Sequence, residues 1–190
     1  MEKKHAVIIC HEKLGEFTFE KINDGQVKFD IDKAKEILIR GIKYLSVKKM
    51  LEIEEHDYFH ELLETCKIEI KKDLGVQTSL NYQYNRATGI LLSIDLQIDE
   101  FISQRFPEDM ISNLLDVLCQ IIVKVKYPVD IVLESERYES TAYGIYGEHW
   151  LKYAEIVLPE EEVLSCKLSY KALNYFTYRL SEEQKNIFKE

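Results

Sequence analysis

Two histidines stand four residues apart in the segment His56-Asp57-Tyr58-Phe59-His60. On a helix, residues four apart share a face, so both imidazoles could bind one zinc ion. The order differs from the His-Glu-x-x-His of zinc proteases, and the sequence identifies neither a third ligand nor a second shell. We therefore expect Asp57 to cap a helix on which His56 and His60 are half-exposed. They are the candidate metal ligands, but no metal or other cofactor is expected.

Acidic residues around the first of these histidines are candidates for acid–base catalysis. They are Glu52, Glu54, Glu55 and Asp57. Paired carboxylates do this work only where apolar walls separate their pKa values. Alternating, exposed positions on a strand are the simpler interpretation. The sequence also contains no phosphate-binding glycine loop and no Gly-x-Ser-x-Gly motif. It leaves catalysis unsupported but not excluded, and it favours a protein that is not an enzyme.

Two neighbouring segments, Val76–Asn85 and Ile90–Asp99, alternate between apolar and polar residues. A period of two predicts two strands of one sheet, each with an apolar face and a polar face. Because the polar face lacks aromatic and basic residues, it is unlike the sheets that bind RNA. Uncharged polar groups beside aspartates instead favour docking onto a basic protein. The residues expected to bind the partner there are Gln77, Asn81, Gln83, Ser93, Asp95, Gln97 and Asp99, with Ser79 on the same face.

Aromatic residues in the C-terminal part of the chain form a second candidate binding surface. Tyr143, Tyr146 and Trp150 belong to types that often anchor protein interfaces. The alternative is that these side chains pack in the core of the C-terminal elements. The sequence supports the two interpretations about equally.

A net charge of −9 and a pI of about 5.2 indicate an acidic surface. Such a surface repels nucleic acids and anionic membranes, and it favours a basic protein as partner. The apolar stretches are too short for a membrane helix, and the N-terminal segment lacks the features of a signal peptide. The four cysteines are widely spaced and form no Cys-x-x-Cys pair. Free thiols of this kind predict a cytoplasmic protein.

The hydrophobic periodicity predicts how these residues are positioned, in an α+β, ferredoxin-like two-layer sandwich. The expected elements are a strand within Gly41–Glu54, a helix from Asp57 to Leu74, the two alternating strands, a helix from Pro107 and a strand at Val129–Glu136. Right-handed crossovers give the sheet the order 4-1-3-2. The two helices would cover its apolar face and leave the polar face open.

The whole chain, 1–190, is expected to form one domain. An N-terminal hairpin and helix (1–40) precede the core (41–136), and an aromatic-rich extension (137–190) follows it. The N-terminal part is predicted to contain strands at His5–His11 and Glu16–Ile22, and a turn at Asn23-Asp24-Gly25. A helix capped by Asp32 is expected to end at Gly41.

These observations favour a non-enzymatic, acidic module that binds a basic partner protein. Small acidic α+β proteins without catalytic motifs are common among the immunity proteins of bacterial toxin systems, and the chain resembles them in class and composition alone. One alternative is a small-molecule or metal-binding protein, or a small enzyme, with a cleft between core and C-terminal segment. Another is a homo-oligomeric structural protein, such as a homodimer paired through the edge of Gln77–Asn85.

Overall fold

The computed structural model describes residues 5–85, 87–88, 90–127, 149–165 and 167. Its architecture is α+β, with two three-stranded sheets and helices around a shared apolar core. The strands are β1 Ala6–His11, β2 Gly15–Asn23, β3 Gln26–Val27, β4 Lys67–Lys71, β5 Thr78–Tyr84 and β6 Leu91–Asp99. The helices are α1 Ile31–Val47, α2 Ile53–Thr65, α3 Glu100–Arg105 and α4 Pro107–Lys126, and residues 149–157 and 160–165 are also helical. Within these described ranges, no helix is both long and apolar enough to cross a membrane.

The first sheet is the antiparallel meander β1-β2-β3, which confirms the predicted N-terminal strands. The β1–β2 hairpin pairs His11 with Gly15 across a three-residue turn. Gly15 adopts a φ of +83°, a conformation that glycine tolerates because it has no Cβ. Phe17 and Phe19 are buried between exposed neighbours, so they determine which face of this sheet joins the core.

The second sheet has the order β4-β6-β5, and its β5 and β6 confirm the two predicted alternating strands. Ile94, Leu96 and Ile98 of β6 point into the core. A bulge shifts the pairing between Gln83 and Tyr84. Leu92 is the unpaired residue of this bulge and is 64% exposed, although alternation predicts that it faces the core. The bulge inserts one residue into the ladder and thereby exchanges the two faces.

The predicted first strand of the ferredoxin-like unit is wrong, because α1 continues to Val47 and α2 begins at Ile53. Ile37, Leu38, Ile42 and Leu45 are fully buried along one face of α1. Their spacing of three and four residues is that of an amphipathic helix. A strand over this segment would place Val47 and Ile53 on its apolar face, but they are 70% and 80% exposed.

Gly41 lies inside α1 because α4 packs closely against the helix at this point. A Cβ atom on Gly41 would lie 2.6 Å from Leu118 Cδ2 and 2.9 Å from Leu115 Cδ2. The glycine therefore permits a close helix–helix approach and does not end the helix. The N-cap also differs from the prediction, since Asp30, and not Asp32, accepts a hydrogen bond of 2.9 Å from the backbone of Lys33.

The residue that ends α1 in the left-handed conformation is Lys49, with a φ of +61°. The backbone N–H of Lys49 donates to Ser46 O, and that of Met50 donates to Leu45 O. These two bonds define a Schellman motif, which most often has glycine at the left-handed position. Because lysine occupies that position, the sequence carries no recognisable stop signal there.

The end of the predicted first helix forms strand β4, which pairs parallel with β6. The short segment 72–77 then crosses the end of β6 to reach β5. Because no helix lies in this connection, β4 and β5 run in opposite directions. A strand–helix–strand connection would have made β4 and β5 parallel, and β4 would then run antiparallel to β6. The ferredoxin-like topology is therefore not confirmed, and the predicted strand Val129–Glu136 lies outside the described residues.

Helix α4 contributes most of the helical core and begins as predicted, with Pro107 in its first turn. Its buried apolar residues include Met110, Ile111, Leu114, Leu115, Leu118, Ile121 and Ile122. Near its end, Lys126 Nζ lies 2.7 Å from Glu55 Oε2 on α2. Burial lowers the pKa of Lys126, but hydrogen bonds to Glu55 and Tyr153 outweigh this effect and raise the pKa to about 12.

Candidate functional site

A cavity of about 240 Å³, which we call the acidic pocket, lies between α4 and the C-terminal helical segments. It is lined by Gln77, Asp109, Ser112, Asn113, Asp116, Leu158 and Glu162. Four of these residues come from α4 at positions i, i+3, i+4 and i+7, and such positions share one face of a helix. Next to this polar stripe, α4 is apolar and buried.

Neighbouring elements hold the walls of the acidic pocket in place. Asn113 Oδ1 accepts a hydrogen bond of 2.7 Å from Thr78 Oγ1, which ties α4 to the start of β5. Asp116 Oδ2 accepts a bond of 3.1 Å from Gln120 Nε2, one turn further along α4. Leu158 is almost fully buried, so the chain that leads to Glu162 is anchored in the core.

Two carboxylates of the acidic pocket, those of Asp116 and Glu162, are partly desolvated, and the described part of the chain supplies no compensating cation; Asp109 is exposed at the rim. Burial raises the pKa of Asp116, and the hydrogen bond from Gln120 and the indole N–H of Trp150 offset only part of this effect. Burial also raises the pKa of Glu162; the Ser112 hydroxyl opposes that shift, and the charges of Asp109 and Asp116 add to it. The ion pairs formed within the described ranges do not include these three carboxylates.

This arrangement is chemically suited to a cationic group. A carboxylate whose pKa is raised by burial and by like charges is typical of functional sites. An ammonium or guanidinium group in the cavity would reverse both unfavourable effects, because an opposite charge favours the ionised form. A bound metal ion has less support, since no group of three or more potential ligands is close enough in the part of the chain that the structure describes.

The acidic pocket is not among the sites predicted from the sequence, although the sequence contains a signal for it. An acidic residue in the first turn of a helix, such as Asp109, suits the positive end of the helix dipole, so by itself it does not indicate a site shared with Asp116 and Glu162. The polar residues at i, i+3, i+4 and i+7 of α4 form a stripe that helical periodicity makes visible. Its meeting with Glu162 is not visible in the sequence, because it depends on where the chain beyond residue 148 packs.

The predicted polar sheet face exists, and strand pairing brings most of its residues together. Asn81 lies opposite Asp95, Ser79 opposite Gln97 and Gln83 opposite Ser93. Asn81 and Gln83 are exposed, whereas Ser79, Ser93, Asp95 and Gln97 are half-buried.

Strand β4 changes the charge of this face, because it adds Lys67, Glu69 and Lys71 beside β6. Glu69 forms ion pairs with Lys67 at 3.3 Å and with Lys71 at 3.7 Å. The hydrogen bond from Lys67 lowers the pKa of Glu69. The face therefore carries two carboxylates, those of Glu69 and Asp95, beside two lysines. The expected acidic platform did not include β4, because these residues were assigned to a helix.

Two residues predicted for this face have other positions. Asp99 is only 4% exposed, and its carboxylate is used by the backbone. Its Oδ1 accepts a hydrogen bond of 2.9 Å from Ile102 N and caps α3, and its Oδ2 accepts one of 3.0 Å from Leu74 N. Asp99 thus stabilises the crossing segment and is not available to a partner. Gln77 lies before β5 and lines the acidic pocket instead.

The aromatic candidates are divided between the core and the undescribed part of the chain. Trp150 is 9% exposed and Tyr153 is 4% exposed, and both belong to the core. This position agrees with the packing alternative for Trp150. Tyr143 and Tyr146 lie outside the described residues.

The two histidines share a face of α2, with ring centroids 6.0 Å apart. His56 Nδ1 lies 3.1 Å from Asp57 Oδ1. Asp57 is inside the helix and does not cap it, because α2 begins at Ile53 after Glu52. The nearby Glu55 pairs with Lys126, and Glu52, Glu54 and Asp57 are exposed.

Another groove, of about 340 Å³, separates the first sheet from the α3–α4 junction. Val7, Ile9 and Val27 contribute apolar walls, and Lys21 and Glu108 contribute opposite charges. It therefore lacks the single sign of charge that characterises the acidic pocket.

Comparison of the chain with models of protein families, with curated proteins and with solved structures finds no match.

Proposed function

We propose that the protein is a non-enzymatic, acidic module that binds a basic partner protein and receives a lysine or arginine side chain of that partner in the acidic pocket. The observation that carries this proposal is the group of three carboxylates around one cavity, Asp109, Asp116 and Glu162, to which the described part of the chain supplies no cation. An inhibitor of the immunity type, acting in the cytoplasm, is the class of protein that this function fits.

The electrostatics of the pocket favour a cation that arrives from outside the chain. Burying an ionised carboxylate without a partner destabilises the folded protein. The raised pKa values of Asp116 and Glu162 report that destabilisation. A basic side chain of the partner would remove it on binding, so part of the binding free energy comes from relief of an unfavourable state already present in the free protein.

The net charge of the whole chain also favours a basic partner. A net charge of −9 attracts a basic protein over a distance of about 8–10 Å at physiological salt, and this raises the rate of encounter. Charged groups at an interface then select the correct partner and orientation. The polar sheet face could add hydrogen bonds, but its own charges are balanced, so the acidic pocket is the better candidate for recognition.

A peptide pair isolates the contribution of one cation. A basic peptide whose only positively charged side chain is one arginine would be compared with the same peptide carrying citrulline, which is neutral and of similar shape. We expect the double variant Asp116→Asn/Glu162→Gln to bind the arginine peptide at least about tenfold more weakly than the unmodified protein does, which corresponds to about 1.4 kcal/mol. The citrulline peptide should bind both proteins with similar, low affinity in calorimetric titrations.

The matched control is Glu54→Gln/Asp57→Asn, which changes the net charge equally at two exposed positions of α2. It should change the affinity by less than about twofold, since exposed charges contribute little. If the control weakens binding as much as the pocket variant does, attraction is only a property of the overall charge and the proposal fails.

The pocket also supports a second candidate function, a binding protein or small enzyme for a small cationic molecule. Carboxylates with raised pKa values can act as general acids near neutral pH, and this cavity lies between the core and the C-terminal segment. Stabilisation of the protein by millimolar guanidine or alkylamine compounds, abolished by Asp116→Asn/Glu162→Gln and absent with the basic peptide, would favour this function over the first.

A further inference from the structure

His11 lies at the end of β1, just before the turn that leads into β2, and only 8% of it is exposed. Its Nδ1 atom lies 3.2 Å from Lys13 N and 3.1 Å from Leu14 N. Both backbone groups are donors, so Nδ1 must carry a lone pair. The imidazole is therefore neutral, with its proton on Nε2.

Protonation of His11 is incompatible with this geometry. A second proton would have to occupy Nδ1. It would then point at the two backbone N–H groups that now donate hydrogen bonds to Nδ1. Among the described residues, the buried Nε2 atom has no hydrogen-bond partner, so none of them offers an acceptor that would stabilise the imidazolium on that side. Burial lowers the pKa of His11; the charge of Glu12 opposes this shift, and that of Lys13 adds to it.

The turn that His11 holds is in contact with the C-terminal helical segments. Lys13 Nζ donates a hydrogen bond of 2.5 Å to Glu155 O, and Glu160 N donates one of 3.4 Å to Glu12 Oε2. Two further charges lie at this contact: Lys167, which pairs with Glu155 at 2.6 Å, and the carboxylate of Glu160. The hairpin turn thus connects the first sheet to residues 149–167.

We propose that His11 is a pH-sensitive latch: the neutral ring holds the β1–β2 turn on the C-terminal helical segments, and the protonated ring releases it. The sign follows from the geometry. The latch is closed above the pKa of an unconstrained histidine, about 6.5. As the pH falls from there toward the lower pKa of the closed form, the equilibrium shifts toward the released turn by about tenfold per pH unit.

Release of the turn would act on the acidic pocket, because segment 160–165 carries both a contact of the turn and Glu162. The latch does not depend on what that pocket binds, so it can be tested without any ligand.

The test is nuclear magnetic resonance of the full-length protein between pH 7.5 and 5. We expect the ring nitrogens of His11 to show the Nε2–H tautomer at pH 7.5. Exchange of the Lys13 and Leu14 amides, corrected for its intrinsic pH dependence, should accelerate as the pH falls below 6.5, by up to about tenfold per pH unit until the lower pKa of the closed form is reached. A proton on Nδ1 at pH 7.5, or unchanged exchange of these amides down to pH 5, would overturn the proposal.

The variant His11→Asn separates titration from turn geometry. The Asn carbonyl oxygen can accept from the N–H two residues on, as in an Asx turn, and it does not titrate in this range. In this variant the two amides should show no pH-dependent release, whereas the control variant His5→Asn, changed at an exposed position, should behave as the unmodified protein does. Retention of the transition in His11→Asn would assign it to another group. The tautomer measurement on the unmodified protein decides the matter even if this variant does not fold.

Discussion

The replacement Gly41→Ala tests the packing of α1 on α4 more directly than any other single change. The added Cβ would lie 2.6 Å and 2.9 Å from two methyl carbons of Leu118 and Leu115, well inside normal carbon–carbon contact. Both leucines are fully buried, so neither can move into solvent. Overpacking of this kind destabilises a core by about 1–3 kcal/mol.

Helix propensity acts in the opposite direction, because alanine is favoured over glycine inside a helix by about 1 kcal/mol. The net loss of stability expected for Gly41→Ala is therefore about 0–2 kcal/mol. The propensity term can be measured separately at Lys43, an exposed position of the same helix, by comparing Lys43→Ala with Lys43→Gly. Subtracting it should leave a steric term of about 1–3 kcal/mol in urea denaturation.

The variant Leu118→Val, which removes the closest methyl carbon, should rescue Gly41→Ala. In a double-mutant cycle we expect a favourable coupling of about 0.5–2 kcal/mol between the two changes. The reasoning is refuted if Gly41→Ala stabilises the protein as much as alanine does at Lys43, or if the two effects simply add. Either result would mean that α4 does not contact α1 at Gly41.

Two further changes test the helix end and the acidic pocket. Lys49→Gly should raise the free energy of unfolding by about 1 kcal/mol, because it removes the side chain from a left-handed position. Lys48→Gly, at a φ of −80°, should instead lower the free energy of unfolding by about 0.5–1 kcal/mol. Equal effects of the two variants in urea denaturation would contradict the Schellman motif. Asp116→Asn should raise stability at pH 7, because burial disfavours the ionised carboxylate. In the unmodified protein this residue makes the folded state more stable as the pH falls through its raised pKa toward 3.8, the ordinary pKa of an aspartate. Thermal denaturation of Asp116→Asn should lack that part of the pH dependence.

Prediction from the sequence succeeded where a single element carries its own signal. The alternation of β5 and β6 follows from which residues each strand buries, and the start of α4 follows from Pro107 and the acidic residues after it. The turn residues of the N-terminal hairpin, and the alternation of Phe17 and Phe19 with polar neighbours, predict that hairpin. These are local properties, which one segment expresses without reference to another.

Prediction failed where contacts between distant segments decide the conformation. Glycine is the residue that most often ends a helix, but Gly41 lies in the interior of α1, where Leu118 packs closely against it. Lys49 has no feature of a helix stop, but the backbone ends α1 there. Lys67–Lys71 is long enough to be one more turn of a helix, and it becomes a strand because β6 offers an edge to pair with.

The same division applies to function. The sequence by itself determined a net charge of −9, an α+β class and a polar sheet face, because these follow from composition and from a period of two. Only the tertiary structure showed that β4 balances the charge of that face and that the carboxylate of Asp99 accepts hydrogen bonds from the backbone. It also brought Asp109, Asp116 and Glu162 around one cavity. The reason is physical: a desolvated charge exists only where separate segments together exclude water, and no single segment can do so alone.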